Sequence, residues 1–254
     1  MRTQICVRTL GSVGINVGKR RLGPSSGRPF DLLLYLALRR DHVASRRIVR
    51  ELLFPKSENG KGAHSLRQQI YLLRKIGVAL ESDSDQLSLT GNDVTVDSWR
   101  IVDEGEIGPT ELEQLSHGLF PGYTPTESDS FREWFEGERA DIGRRLTRRL
   151  TMELVPLRAA GRWDMVDAVA RALLALDPLS EEGTLARALA LAAGGSPSAA
   201  LGLLEAYEAE VGEERPNLRL APAALRRRIR ERLPDAGSRS NDERAFVGRE
   251  NMMR

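Results

Sequence analysis

The sequence is poor in the residues that disulfides and membrane spans require. Cys6 is its only cysteine, so no internal disulfide can form and nothing indicates an oxidising compartment. No apolar run approaches the roughly 18 residues of a spanning helix, and no basic-then-apolar signal segment opens the sequence. We therefore expect a cytoplasmic protein that has no membrane partner.

The groups that catalysis or metal binding would require are equally scarce. The histidines His42, His64 and His117 lack the spacing of a zinc site, and Cys6 lies in a predicted strand rather than beside a histidine. The segment Gly14–Arg20 is similar to a phosphate-binding loop, but its spacing is one residue short and no serine or threonine follows the lysine. We predict no enzyme, no metal and no cofactor.

Charge is distributed unevenly along the sequence. Residues 1–80 hold 16 lysines and arginines against four acids, a balance of +12. Because the whole sequence carries +2, the remainder carries −10. A basic first part on an acidic second part is typical of a polyanion-binding domain joined to a different domain.

The first hundred residues have the order of elements of a winged helix. Period-two apolar residues within residues 3–22 predict strands, and three helices follow, the second starting after Ser45 and the third spanning about 63–76. Apolar residues then flank the turn Thr90-Gly91-Asn92-Asp93, which predicts a hairpin. We predict a winged helix-turn-helix domain at residues 1–100.

The second part is almost entirely helical in pattern. Residues 105–233 are rich in Ala, Leu, Arg and Glu, with glycine and proline breaks. Gly161 and Gly195 lie 34 positions apart, which is the period of a tetratricopeptide repeat. We predict a mainly α protein with small β content, whose winged helix precedes an all-α tetratricopeptide-like domain at 105–233 and a linker at 234–254.

The third predicted helix has an apolar side and a basic, polar side. Leu66, Ile70, Leu73 and Gly77 fall on one stripe, and no acid interrupts the opposite face. Gln pairs well with adenine and Arg with guanine in a major groove that admits one helix. A merely solvated basic face is the alternative, but such faces usually contain Glu. The predicted base-reading residues are His64, Arg67, Gln68, Tyr71 and Lys75.

Residues around this helix are candidates for phosphate contacts. Ser45, Arg46 and Arg47 open the second helix, where backbone N–H groups and guanidinium groups could hold a phosphate. Arg39, Arg40 and Arg50 extend this surface or are simply solvated. The predicted hairpin is not basic, so we expect only light backbone contacts from it. The predicted phosphate contacts are Ser45, Arg46, Arg47, Arg74, Thr90 and Asn92.

Several segments resemble the Streptomyces antibiotic regulatory proteins, known as SARP-type activators. In the first domain they are Leu10-Gly11, Arg28–Leu38, Val43-Ala44-Ser45-Arg46, Leu52-Leu53-Phe54-Pro55 and Ser65–Lys75. In the second domain they are Leu119-Phe120-Pro121-Gly122, Phe131-Arg132-Glu133-Trp134, Arg139, Gly161-Arg162-Trp163 and Leu174–Glu182, which contains the Asp-Pro-Leu signature. The resemblance covers about residues 5–233.

The resemblance implies a response-regulator-type winged helix followed by a bacterial transcriptional activation domain. It implies head-to-tail pairing of two copies, a homodimer, on direct-repeat sites in double-stranded promoter DNA, and recruitment of RNA polymerase holoenzyme. By the same analogy, Lys56, Glu58 and Lys61 are candidate polymerase contacts. Phe246-Val247-Gly248-Arg249-Glu250 resembles the opening of the ATPase domain that follows in larger members.

Two alternatives remain open at this point. The protein could be a helical-repeat interaction module whose basic domain is incidental. It could also be the scaffold part of an ATPase-linked signalling protein, which requires a phosphate loop further along the gene.

Overall fold

The computed structural model describes residues 2–55, 61–103, 107–126, 128–212 and 216–232. These residues form a mainly helical protein with small sheets near the N-terminus, as predicted. They divide into two compact units, of which the first ends at Pro178 and the second begins at Leu179. No helix in the described ranges is both long and apolar enough to cross a membrane.

A four-stranded sheet lies at the start of the first unit. Ile5, Val7, Ile15 and Val17 alternate with polar residues and are buried on one face of the sheet, because side chains of a strand alternate between faces. The strands are β1 (Thr3–Arg8), β2 (Gly14–Val17), β3 (Arg20–Leu22) and β7 (Asn92–Val96). β7 pairs with β1 in parallel, whereas β1, β2 and β3 pair antiparallel, so the order is β3-β2-β1-β7.

Three helices and a three-stranded sheet complete the region that the sequence predicts to be a winged helix. The helices are α1 (Arg28–Leu38), α2 (Arg46–Leu53) and α3 (Lys61–Lys75). Helix α1 is buried from Phe30 to Leu38 and packs against both α2 and α3. The strands β4 (Val43–Ser45), β5 (Glu81–Ser82) and β6 (Gln86–Ser88) form a second sheet in the order β4-β6-β5.

The hairpin predicted around residues 90–93 is wrong. β6 pairs with β4 and β5, whereas β7 pairs with β1 in the other sheet. The observed hairpin connects β5 and β6, and Asp83 Oδ1 closes its turn by accepting from the N–H groups of Asp85 and Gln86 at 2.7 Å each. A side chain that mimics a backbone turn explains why Asp83 initiates the reversal.

Four more helices belong to the first unit. They are α4 (Asp97–Asp103), α5 (Pro109–Ser116), α6 (Asp129–Ala159) and α7 (Trp163–Leu176). α5 and α6 pack against α7, and α4 packs against α6. Ser128 caps α6, because its Oγ accepts from the Phe131 N–H at 3.3 Å. The same hydroxyl donates to the Leu52 carbonyl at the end of α2.

An aromatic cluster joins α6 to α1. The Trp134 ring lies edge-on to Tyr35 with centroids 4.6 Å apart, and Tyr123 lies edge-on to Phe30 at 5.3 Å. The buried Tyr123 hydroxyl donates to Asp31 Oδ1 at 2.6 Å. The helical segment after residue 105 is therefore packed directly on the core of the predicted DNA-binding domain.

The second unit contains the helices α8 (Glu181–Ala193), α9 (Pro197–Val211) and α10 (Leu220–Arg232). α8 and α9 pack against each other, and Ala188, Ala200 and Leu204 are buried in the core that they share. α10 adds Leu225 and Ile229 to the same core. The division at Pro178 falls inside the predicted 105–233 domain, and the predicted boundary after residue 100 stays a prediction.

Candidate nucleic-acid interface

Helix α3 is held from behind by its apolar stripe. Leu66, Ile70 and Leu73 are buried, and α3 packs against α1. Gly77 was predicted to extend this stripe, but α3 ends at Lys75 and Gly77 is exposed. Its φ of +103° belongs to the region that glycine adopts without steric cost, so Gly77 turns the chain away from the helix.

The opposite face of α3 is open to solvent. His64, Arg67, Gln68 and Lys75 are exposed, and 64% of Tyr71 is exposed. No acid occurs between Lys61 and Lys75, so the face carries positive charge alone. The structure thus brings the five predicted base-reading residues onto one accessible surface, which we call the α3 face. Their contact with bases stays a prediction.

The C-terminal end of α3 is fixed by two arginines. Arg74 Nε donates to the Leu80 carbonyl at 2.9 Å, and Arg20 Nη1 donates to the Lys75 carbonyl at 3.1 Å. Cations near a helix C-terminus satisfy its free carbonyls and oppose its negative dipole end. Arg74, predicted to contact phosphate, therefore also stabilises the turn that follows α3.

The two arginines that open α2 have different environments. The Arg46 N–H donates to the Asp85 carbonyl at 2.8 Å, and its guanidinium donates to Ser82 Oγ. Arg46 thus braces the β5–β6 hairpin, which competes with its predicted phosphate contact. Arg47 is 74% exposed, and its Nε lies 3.8 Å from Glu51 Oε1. Of the two side chains, Arg47 is the one free to reach a phosphate.

Ser45 occupies the N-cap position of α2 as predicted, but its hydroxyl makes no capping hydrogen bond. The neighbouring arginines at the end of α1 are engaged elsewhere in the domain. Arg39 pairs with Asp41, with Nη2 3.1 Å from Oδ2, and Arg40 pairs with Asp103 while lying over the Trp99 ring. These internal partners favour a structural role for Arg39 and Arg40.

The residues predicted at a wing tip lie elsewhere. Thr90 is exposed, but its hydroxyl is 2.8 Å from Ser88 Oγ in the connection between β6 and β7. Asn92 is only 6% exposed, and its amide bonds the Ala79 backbone and the Leu89 carbonyl. Because this amide has no group left for a phosphate, we exclude Asn92 from the interface.

The actual tip of the β5–β6 hairpin is acidic. Asp83 and Asp85 are both exposed, and hydrogen bonds from the Asp85 and Gln86 backbone lower the pKa of Asp83. Asp83 therefore stays ionised at neutral pH. A negative hairpin tip disfavours insertion beside a phosphate backbone.

Of the three predicted polymerase contacts, the structure describes one. Lys61 is the first residue of α3 and is exposed. Lys56 and Glu58 lie outside the described residues.

A known structure shares this arrangement of elements. The fold is similar to that of EmbR from Mycobacterium tuberculosis. That structure, solved in complex with a low-affinity phosphopeptide, is 19% identical, with a TM-score of 0.58 over 92% of this chain. The chain spans 66% of the EmbR chain. No family model and no curated protein matches the sequence.

EmbR is a SARP-family regulator, and the similarity to it concerns the fold. Two features of this EmbR-like fold had no signal in the sequence. Asp97 is half-buried at the start of α4 and accepts from the Thr9 N–H at 2.8 Å and the Thr9 hydroxyl at 2.6 Å. Burial raises the pKa of Asp97, and these hydrogen bonds oppose the rise. Gln69 is buried within α3, and its Oε1 has no partner among the described residues.

Proposed function

We propose that the protein is a sequence-specific DNA-binding transcriptional activator. The observation that carries this proposal is the α3 face, which is basic, free of acids and accessible while the other side of the helix is buried. Residues 1–100 act in this proposal as a winged helix-turn-helix domain. Residues 105–233 act as the tetratricopeptide-like activation domain.

In this proposal α3 enters the major groove. Arg67 pairs with guanine and Gln68 with adenine, because these side chains offer the matching donors and acceptors in two-point geometry. His64, Tyr71 and Lys75 contact neighbouring base edges. The exposed position of all five supports this assignment.

Phosphate contacts position the helix in the groove. Arg47 is the strongest candidate because it is the more exposed of the two arginines that open α2. Ser45 and Thr90 have exposed or half-exposed hydroxyls and supply weaker contacts. Arg46 and Arg74 contribute mainly by fixing the hairpin and the end of α3.

The remaining parts of the proposal rest on the resemblance to SARP-type activators and on the EmbR-like fold. Two copies bind head to tail on a direct repeat in promoter DNA, as a homodimer. The complex then recruits RNA polymerase holoenzyme, with Lys56, Glu58 and Lys61 as candidate contacts between α2 and α3.

The decisive experiment begins with selection of DNA fragments by the purified protein from a random library. Affinity for the selected site and for a scrambled duplex is then measured for the wild type and for Arg67→Ala and Gln68→Ala. Each variant should lose about 1–3 kcal/mol on the selected site and much less on the scrambled duplex. Arg148→Ala is the matched control, because Arg148 is an exposed arginine on α6.

Failure to enrich any sequence would contradict the proposal and favour the helical-repeat interaction module. Equal losses on both duplexes would reduce α3 to a phosphate-binding helix. A loss in Arg148→Ala as large as that in Arg67→Ala would show that general charge, rather than the α3 face, determines affinity.

A further inference from the structure

Strand β7 ends the four-stranded sheet and has one open edge. It pairs only with β1, and no strand among the described residues pairs with its other side. Unpaired edges offer N–H and C=O groups to another extended chain. The register of the sheet determines which groups these are.

The backbone of β1 alternates between its two neighbours. The Gly18 N–H donates to the Gln4 carbonyl at 2.9 Å, so Gln4 and Cys6 direct their backbone groups toward β2. Ile5 and Val7 consequently direct theirs toward β7, where Ile5 is aligned with Val94.

In a parallel ladder, the backbone of Ile5 bonds to the residues that flank its aligned partner. Asp93 and Thr95 therefore face β1, whereas Val94 and Val96 face away. The Val96 carbonyl precedes α4 and accepts the first bond of that helix. The N–H and C=O of the half-buried Val94 thus point away from β1, as does the N–H of Val96, of which 4% is exposed. Groups at alternate residues have the spacing that an added strand requires.

A cleft of about 500 Å³ lies along this edge, a volume typical of ligand-binding clefts. Its lining includes Val94, Val96 and Trp99, together with three arginines and two acids: Arg8, Arg40, Arg100, Asp97 and Asp103. Arg100 pairs with Glu111, and Arg40 in the same lining pairs with Asp103. Arg8 donates only to the Ser12 hydroxyl at 2.7 Å, so it has no acidic partner among the described residues.

The geometry points to a docking site for an extended acidic peptide segment of a partner protein, which adds a strand to β7. Main-chain bonds to Val94 and Val96 supply affinity in this mode, and side chains at alternate positions supply specificity. A carboxylate of the peptide meets the unpaired guanidinium of Arg8. A second copy of this chain fits less well, because it would bring the Arg8 guanidinium of one copy close to that of the other. The site is independent of the α3 face.

The test uses a fluorescein-labelled octapeptide with alternating valine and threonine in the centre and two glutamates at each end. A second probe replaces the glutamates with lysines. Binding is followed by anisotropy with the full chain, and amide exchange of Val94 and Val96 is followed by NMR. Val94→Pro removes an outward N–H at an edge position that tolerates proline, and Val94→Thr keeps it as the matched control.

We expect the acidic probe to bind and to slow exchange of both amides. Val94→Pro should weaken binding at least tenfold, whereas Val94→Thr should bind as the wild type does. Arg8→Glu should weaken the acidic probe at least threefold and strengthen the lysine probe, which keeps the test informative if Val94→Pro does not fold. All variants should retain affinity for the selected DNA.

Three results would overturn the inference. One is the absence of binding of the acidic probe at about 1 mM, which corresponds to roughly 4 kcal/mol. The second is equal binding of both probes. The third is self-association in sedimentation equilibrium that Val94→Pro abolishes, because a second copy would then occupy the edge.

Discussion

Replacing Tyr123 with phenylalanine isolates the contribution of one hydrogen bond between α1 and the connection from α5 to α6. The Tyr123 hydroxyl donates to Asp31 Oδ1 at 2.6 Å, and both residues are buried. The ring also packs edge-on against Phe30 and Phe135. Phenylalanine preserves these ring contacts, so the substitution removes only the hydroxyl.

The expected cost follows from the loss of a hydrogen bond to a buried carboxyl group. Hydrogen bonds to charged groups contribute about 1.5–3 kcal/mol. We expect Tyr123→Phe to lower the free energy of unfolding by about 2 kcal/mol. For a unit of this size the melting temperature should fall by about 4–8 °C.

Tryptophan fluorescence during urea unfolding is the appropriate assay. The three tryptophans of the sequence, Trp99, Trp134 and Trp163, lie in the unit that ends at Pro178. The signal therefore reports on the unit that contains Tyr123. Burial and the neighbouring Asp31 raise the pKa of Tyr123, so the hydroxyl keeps its proton and the loss should be constant between pH 6 and about pH 9.

Tyr71→Phe is the matched control, because it deletes the same atom from an exposed ring and should change stability by less than about 0.5 kcal/mol. Combining Tyr123→Phe with Asp31→Asn gives a double-mutant cycle, whose coupling energy should exceed about 1 kcal/mol. The reasoning fails if Tyr123→Phe is as stable as Tyr71→Phe, or if the cycle shows no coupling.

Three further predictions concern the packing behind α3, the hydrogen bonds of Asp97 and the proposed phosphate contact of Arg47. Leu73→Ala should lower the free energy of unfolding by about 2–5 kcal/mol, because Leu73 is fully buried behind α3; urea unfolding checks this, with the exposed Leu72→Ala as control. Asp97→Asn should cost about 1–3 kcal/mol in the same assay, because an amide cannot accept all the hydrogen bonds that Thr9 and its neighbours donate; an unchanged midpoint would contradict that role. Arg47→Ala should weaken binding to all duplexes alike and reduce the salt slope by about one, as measured by fluorescence anisotropy; an unchanged slope would remove Arg47 from the phosphate contacts.

The existence of the helices, and the face that each one buries, could largely be predicted from the sequence. The spacing of Leu66, Ile70 and Leu73 determines which side of α3 is buried, because residues three and four apart share a helix face. The same spacing predicts the exposed side. A regular element with a strong apolar period carries its orientation in the local sequence.

Strand pairing could not be predicted in this way. Thr90-Gly91-Asn92-Asp93 is a good local turn, but Asn92 uses its amide to hold the Ala79 backbone. The chain then continues into the parallel pairing of β7 with β1, which is a contact between residues far apart in sequence. Such pairing depends on what the rest of the chain leaves unpaired at the sheet edge, and no local pattern records this.

The roles of individual arginines could not be predicted from the sequence either. Arg46 and Arg47 are adjacent and chemically identical, yet Arg46 donates a hydrogen bond to Ser82 Oγ whereas Arg47 is largely solvated. Adjacent positions on a helix point about 100° apart, so one faces the hairpin and the other does not. Only the position of that hairpin distinguishes the two.

The acidic hairpin tip has a consequence for the proposed mode of DNA binding. Asp83 and Asp85 are exposed at the tip of the β5–β6 hairpin, and the lowered pKa of Asp83 keeps its charge at neutral pH. Under the proposed function, approach of this tip to a phosphate is repulsive, so recognition is concentrated on α3 and the start of α2. Few phosphates are then neutralised per copy, and affinity depends correspondingly more on base contacts by Arg67 and Gln68. A single copy should consequently bind weakly with a shallow salt dependence, which makes pairing on a direct repeat the natural source of useful affinity.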